Sequence, residues 1–255
     1  MPEPLVRRST ERAVTTLTLD SPANRNALST RLVAELSDAL AQADADKAVR
    51  AVVLTHTGSV FCAGADLNEV TTGDPASGPK NLVHLMRAII ELTKPVLASV
   101  NGHVRAGGLG LIGACDIAVA GPKATFAFTE VKLGLAPAAI SLPLLPRLDP
   151  RASAAWYLTG ATFDATEAVH IGLVTQAAAD EHALTAACEQ YLDSLRVASP
   201  QGLTETKRLV TAEVLKHFNE QCDAMVETST RLFGSPEAQE GMRAFLERRP
   251  PSWAQ

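Results

Sequence analysis

Short runs rich in Val, Ile and Thr alternate with stretches of helical periodicity along this chain, and that alternation constrains the fold more than any other feature. The runs are AVTTLTL (13–19), RAVVLTH (50–56), PVLASV (95–100), IAVA (117–120) and LVTQAA (173–178), bounded by Gly, Pro, Asn or Asp. They read as strands. Between them, Leu32, Leu36, Leu40 and Ala43 share one face of residues 29–44, and Leu82, Leu85, Met86, Ile89 and Ile90 share one face of 80–93. That spacing is helical. Asp164 with Glu167 reads as a capping box opening a short helix that Gly172 closes. Strands alternating with helices imply an α/β fold of packed layers.

From Asp180 onward the pattern is helical almost to the end, with breaks at Pro200 and at Gly234-Ser235-Pro236. The chain therefore divides into a core, residues 1–195, and a helical C-terminal region, residues 196–255, that packs on the core or on another subunit. The polar, Gly/Pro-rich stretch TTGDPASGP (71–79) predicts a mobile loop.

Net charge is −5 with no block of like charges, which argues against nucleic acid or an anionic membrane as the main partner. The N-terminal MPEPLVRRSTER has no apolar core of the kind a secretory signal needs. The longest uncharged run, Leu133 to Pro146, carries three prolines and falls short of the ~20 residues that span a bilayer. Cys62, Cys115, Cys188 and Cys222 form no C-x-x-C pair and read as free, buried thiols in a reducing cytoplasm.

Gly108, Gly110 and Gly113 satisfy G-x-G-x-x-G, the dinucleotide fingerprint, and Glu130 follows about where a ribose-binding acid belongs. The context contradicts that reading. A dinucleotide site needs its first glycine directly after a strand, whereas seven residues separate Val100 from Gly108. Close helix packing is the plain alternative for these glycines. A second segment, however, repeats the same grammar: RAVVLTHTGSVFCAGADL is a strand, a turn, and then Cys62, Ala63, Gly64 and Ala65 leading into a helix at Asp66. Two strand-to-helix turns without bulky side chains leave backbone N–H groups open at two helix starts. Two such donors converging on one point make an oxyanion hole.

The segments SPANRNALS (21–29), FCAGADL (61–67), NGHVRAGGLGLIGACDIAVA (101–120), FAFTEVKLGLAP (126–137), LTGATFDATEAVHIGLV (158–174) and EAQEGMRAFLERRPPSW (237–253) resemble the enoyl-CoA hydratase/isomerase family, the crotonase superfamily. They match in order and spacing over essentially the full chain, and the run GGLGLIGACDIA with TEVKLGLAPAAIS is most similar to methylglutaconyl-CoA hydratase-like members. The resemblance implies a spiral of ββα units followed by helical trimerisation elements. It also implies an acyl-CoA thioester substrate, no cofactor beyond the coenzyme A that the substrate carries, no metal, no membrane insertion, and a homotrimer or dimer of trimers. It places the two oxyanion-hole donors on Ala65 and Gly107. Contacts to coenzyme A fall on Arg25, Ala27, Leu28, Ala63, Asp66 and Leu67, and on Lys207, for which a solvated lysine is the alternative.

Hydratases of this family usually hold two glutamates around the enoyl group. One matches Glu130; the position of the other is Gly110. Glu130 is therefore expected to take a proton from water as hydroxide adds to C3 and to return it to C2. A single glutamate also suits a double-bond isomerase, and a catalytically silent acyl-CoA-binding protein is a third possibility. Arg105, two residues before Gly107, reads either as the partner of a distal substrate carboxylate or as a surface arginine. Glu167 and His170 have the E-x-x-H spacing of metal sites but lack a partner pair, and read as a surface helix.

Overall fold

The computed structural model describes residues 3–70 and 76–254. The strands are β1 (Val6–Glu11), β2 (Val14–Leu19), β3 (Ala51–His56), β4 (Val60–Cys62), β5 (Val96–Val100), β6 (His103–Arg105), β7 (Ile117–Ala120), β8 (Thr125–Ala127), β9 (Phe163–Asp164) and β10 (Gln176–Ala177). The helices are α1 (Thr30–Ala45), α2 (Leu67–Val70), α3 (Ser77–Glu91), α4 (Gly107–Ala114), α5 (Ala138–Leu144) and α6 (Pro150–Thr159). They continue with α7 (Ala165–His170), α8 (Glu181–Val197), α9 (Pro200–Val210), α10 (Ala212–Phe233) and α11 (Pro236–Leu246).

Two sheets share these strands. The larger runs β1-β2-β3-β5-β7-β10, parallel apart from β1, and the smaller runs β4-β6-β8-β9, parallel apart from β9. Three times in succession the chain gives one strand to the large sheet, the next to the small sheet, and then a helix. The units are β3-β4 with α2 and α3, β5-β6 with α4, and β7-β8 with α5. Register carries through both sheets: Leu54 pairs with Ala98, and Val60, His103 and Thr125 line up across the small one. This is the spiral of ββα units that the resemblance implies.

The amphipathic stripes bury as their spacing requires. α1 is capped by Ser29, whose side chain accepts from Leu32 N–H, and it buries Leu32, Val33, Leu36, Ala39, Leu40 and Ala43. α3 buries Val83, Leu85, Met86, Ile89 and Ile90 against the same core. Of the expected loop at 71–79, residues 71–75 lie outside the described residues, while Ser77 to Pro79 already belong to α3. The strand expected at 173–178 shortens to β10. Leu173 and Val174 both donate to Ala168 O, continuing the turn at the end of α7, where Gly172 has φ +82°.

The breaks at Pro200 and Pro236 are helix starts. Each proline sits in the first turn of its helix, behind a capping serine, Ser199 or Ser235. α10 is part of the main core: Val214 and Phe218 are buried in it, and Arg87 of α3 lies 5.7 Å over the Phe218 ring. Among the described residues no helix is long and apolar enough to cross a membrane.

Candidate active site

Two strand-to-helix turns meet at the centre of the site. The turn after β4 passes through Gly64 at φ +91°, and the turn after β6 passes through Ala106 at φ +47°, ψ −120°. A side chain disfavours both conformations, so Ala106 holds backbone strain of about 1–3 kcal/mol. A Cβ placed on Gly64 would lie 2.8 Å from Ala106 Cβ and 3.4 Å from Gly107 N, so the two turns are in direct contact. The 21–29 segment is stitched to them: Leu28 N–H donates to Gly64 O at 2.8 Å, and Ala63 N–H donates to Arg25 O at 3.1 Å. Asn26 fixes that segment. It is fully buried, accepts from Ser21 N–H, and donates to Thr57 O and Val60 O.

The Ala65 and Gly107 amides have no acceptor among the described residues, and both line one cavity of about 620 Å³. That size suits a sizeable organic ligand. Much of the wall is apolar, from Leu28, Leu82, Leu135, Ile140 and Phe233. Of the expected coenzyme A contacts, Arg25, Leu28, Ala63, Asp66 and Leu67 line the cavity, whereas Ala27 is buried behind the wall. Arg25, His103, Arg105 and Lys132 bring basic side chains to the same wall, with no carboxylate partner among the described residues.

Glu130 also lines the cavity. It sits on the 3-10 turn Thr129–Leu133 between β8 and α5, and Gly134, at φ +70°, closes that turn by donating to Glu130 O. The residue is 8 % exposed, and Oε2 has no hydrogen-bond partner among the described residues. Burial disfavours the ionised form and pushes its pKa up to about 7. A carboxyl poised there can both accept and deliver a proton near neutral pH. The nearby Tyr157 stacks on Phe128 at 4.1 Å, and its hydroxyl lies 3.5 Å from Ser141 Oγ. Burial, reinforced by the Glu130 charge, raises the phenol's pKa.

The family model for enoyl-CoA hydratase/isomerase matches residues 9–255. The chain belongs to the enoyl-CoA hydratase/isomerase family. A crystal structure of an enoyl-CoA hydratase from Mycobacterium avium superposes with a TM-score of 0.91 at 51 % identity, covering 99 % of this chain and all of that one. Enoyl-CoA hydratase EchA19 of Mycobacterium tuberculosis is 34 % identical over 99 % of this chain and 96 % of its own. The 1,2-epoxyphenylacetyl-CoA isomerase of Escherichia coli is 32 % identical over 95 % of each chain.

Within this enoyl-CoA hydratase/isomerase scaffold, one sequence expectation needs correction. Lys207 does not reach the cavity. Its side chain is 4 % exposed, and Nζ bonds Asp116 Oδ2 at 2.8 Å, Ile89 O at 2.9 Å and Lys94 O at 3.0 Å. Three acceptors use all three ammonium donors, so Lys207 ties α9 to the core and has none left for a phosphate. Gly110, at the position of the usual second glutamate, leaves no free space. A Cβ there would lie 2.6 Å from Met86 Sδ and 2.8 Å from Ile140 Cγ2, so those side chains already fill the space.

Arg105 is half-buried and held in place: Nη1 donates to Val104 O and Thr125 O, and Nη2 to Thr125 Oγ1. Burial lowers its pKa. Glu167 accepts from Trp156 Nε1 at 3.2 Å, and no group of three potential ligands for a metal occurs among the described residues. Sequence reasoning missed Ser229, Phe233 and Phe245, which bring the C-terminal helices to the cavity wall. Their only sequence signal is position within an amphipathic helix, which does not distinguish a core contact from a cavity contact.

Proposed function

We propose that this protein is an enoyl-CoA hydratase that reversibly adds water to a trans-2-enoyl-CoA, acting in the cytoplasm without a cofactor of its own. The observation that carries this reading is the convergence of two unpaired amides, Ala65 and Gly107, and one buried carboxyl, Glu130, on a single cavity. The amides would hold the thioester oxygen as negative charge develops on it; losing one such donor costs on the order of 3 kcal/mol in related acyl chemistry. Glu130 takes a proton from water as the oxygen adds to C3, then returns it to C2. A place on the cavity wall favours catalysis over silent acyl-CoA binding.

Exposed basic side chains on the cavity wall, Arg25 and Lys132 among them, suit the phosphates of coenzyme A. Arg105, lacking an acidic partner, supports a carboxylated acyl group such as that of 3-methylglutaconyl-CoA. Exposed Leu209, Val210 and Val197 support a homotrimer or dimer of trimers as the working assembly. All four cysteines are unpaired, in keeping with a reducing compartment.

A second reading, enoyl-CoA isomerisation, is favoured by Gly110 in place of a second carboxylate. Crotonyl-CoA, 3-methylglutaconyl-CoA and a 3-enoyl-CoA assayed side by side separate the two. Hydration of a 2-enoyl-CoA supports the proposal. Efficient isomerisation of the 3-enoyl-CoA with no hydration overturns it.

A further inference from the structure

Three buried polar side chains reach the cavity wall among the described residues: Asp66, Glu130 and Ser229. Asp66 is committed, accepting from Asn24 Nδ2 at 2.8 Å and from Asn68 N–H at 3.0 Å. Ser229, on α10, is not. Helical hydroxyls in this chain commonly turn back onto the carbonyl four residues earlier, as Ser37, Ser141, Ser153 and Thr211 do. The Ser229 hydroxyl instead points across to α5, where its oxygen accepts from Ala139 N–H at 3.2 Å. Its own proton has no acceptor among the described residues, and one lone pair is free. A buried hydroxyl with an unused donor beside Ala138, Ile140 and Phe233 is costly unless something polar in the cavity completes it.

We propose that the Ser229 hydroxyl is a positioning residue of the hydration site, holding the water molecule that Glu130 deprotonates. The inference rests on the hydratase reading. The water oxygen forms a bond to C3, its proton passes to Glu130, and the electron pair of the C2–C3 double bond moves onto C2 and the thioester oxygen. Glu130 then delivers the proton to C2, so one water is added in total and Ser229 keeps its own proton throughout. With Gly110 closed off by Met86 and Ile140, a hydroxyl from α10 does part of what a second carboxylate would do.

The test compares wild type, Ser229→Ala and Ser229→Thr in two reactions. One is hydration of crotonyl-CoA. The other is exchange of the C2 hydrogen of butyryl-CoA in D2O, which needs Glu130 and the oxyanion hole but no nucleophilic water. Misplacing the water is expected to lower kcat for hydration by about 10- to 100-fold. KM and the exchange rate stay within about twofold, and Ser229→Thr restores hydration. Equal loss of both reactions in Ser229→Ala, or no loss of hydration, overturns the proposal. If Ser229→Ala does not fold, Ser229→Cys, a weak donor of similar size, makes the same comparison. A wild type that exchanges C2 hydrogen yet hydrates no 2-enoyl-CoA refutes the hydratase reading itself, before any variant is made.

Discussion

Gly110 on α4 and Ile140 on α5 fit one another: a Cβ on the glycine would sit 2.8 Å from Ile140 Cγ2 and 3.1 Å from Ile140 Cβ. The pairing explains why a second carboxylate cannot simply be restored. Gly110→Glu alone must displace Ile140 and Met86 and bury a charge. Overpacking of this kind costs about 1–3 kcal/mol, and the unpaired carboxylate adds to it. The single variant is expected to melt several degrees lower and to hydrate crotonyl-CoA more slowly than wild type. Adding Ile140→Gly removes one of the two clashes but leaves Met86 and the unpaired charge and places a glycine inside α5, so the double variant is expected to be no more stable than the single one. Thermal midpoints and initial rates of wild type and the two variants check this; an active, fully stable Gly110→Glu would show that the space is open after all.

Glu130 makes stability as well as activity depend on pH. Its folded pKa of about 7 lies above the ordinary 4.5 because burial favours the neutral form. Its contribution is therefore fully present below about pH 4.5 and is lost as pH rises through about 7. A shift of this size corresponds to about 3 kcal/mol. Relative to wild type, Glu130→Gln should be more stable at pH 8 than at pH 4.5, as read by denaturant midpoints. The wild-type rate of hydration should rise with pH through about 7, as the carboxylate base forms. A pH-independent stability difference between the two proteins would place the carboxyl in water.

Much of the architecture is legible in the sequence because the large-sheet strands β2, β3, β5 and β7 show apolar, β-branched runs and the helices α1 and α3 carry full apolar stripes, whereas β1, mostly exposed and charged, gives no such signal. The small sheet is not. β4, β6 and β8 are three residues each, too short for alternation to register, and they exist because neighbouring turns of the spiral supply their partners. The site divides in the same way. Small residues in the two turns mark where backbone donors can lie, while Ala65, Gly107 and Glu130 are assigned only through the family resemblance. Ser229 meets Ala139 across a separation of 90 positions, a contact that only the packing of α10 on α5 creates. Lys207 misleads because a lysine late in a chain looks solvated until its buried partner, Asp116, is seen.

Lys207 should matter for stability and not for ligand. Breaking a buried pair by removing one partner typically costs about 3–5 kcal/mol. Lys207→Met is expected to lower the unfolding free energy by an amount of that order while leaving KM for the enoyl-CoA within about twofold. A rise in KM without destabilisation would return Lys207 to the phosphate site.

The proposed assembly can be probed without dismantling the core. Truncation at Pro200 would remove Val214 and Phe218 from the core and Ser229 from the cavity, so unfolding is the expected result. Leu209 and Val210 are 77 % and 67 % exposed on α9. Leu209→Glu with Val210→Glu is expected to shift the sedimenting species toward monomer without changing the circular dichroism spectrum. An unchanged oligomer would place the interface elsewhere.

Replacing Glu130 by Gln tests the proposed chemistry most directly, because the amide keeps the shape of the carboxyl but cannot exchange its proton. The measurement is kcat for crotonyl-CoA hydration, with acyl-CoA affinity determined in parallel by calorimetry. General acid–base catalysis is typically worth ~100- to 10,000-fold, so a loss in that range with affinity retained is the expected result. Hydration within a few-fold of wild type would contradict the assignment of Glu130 as the acid and base of this site.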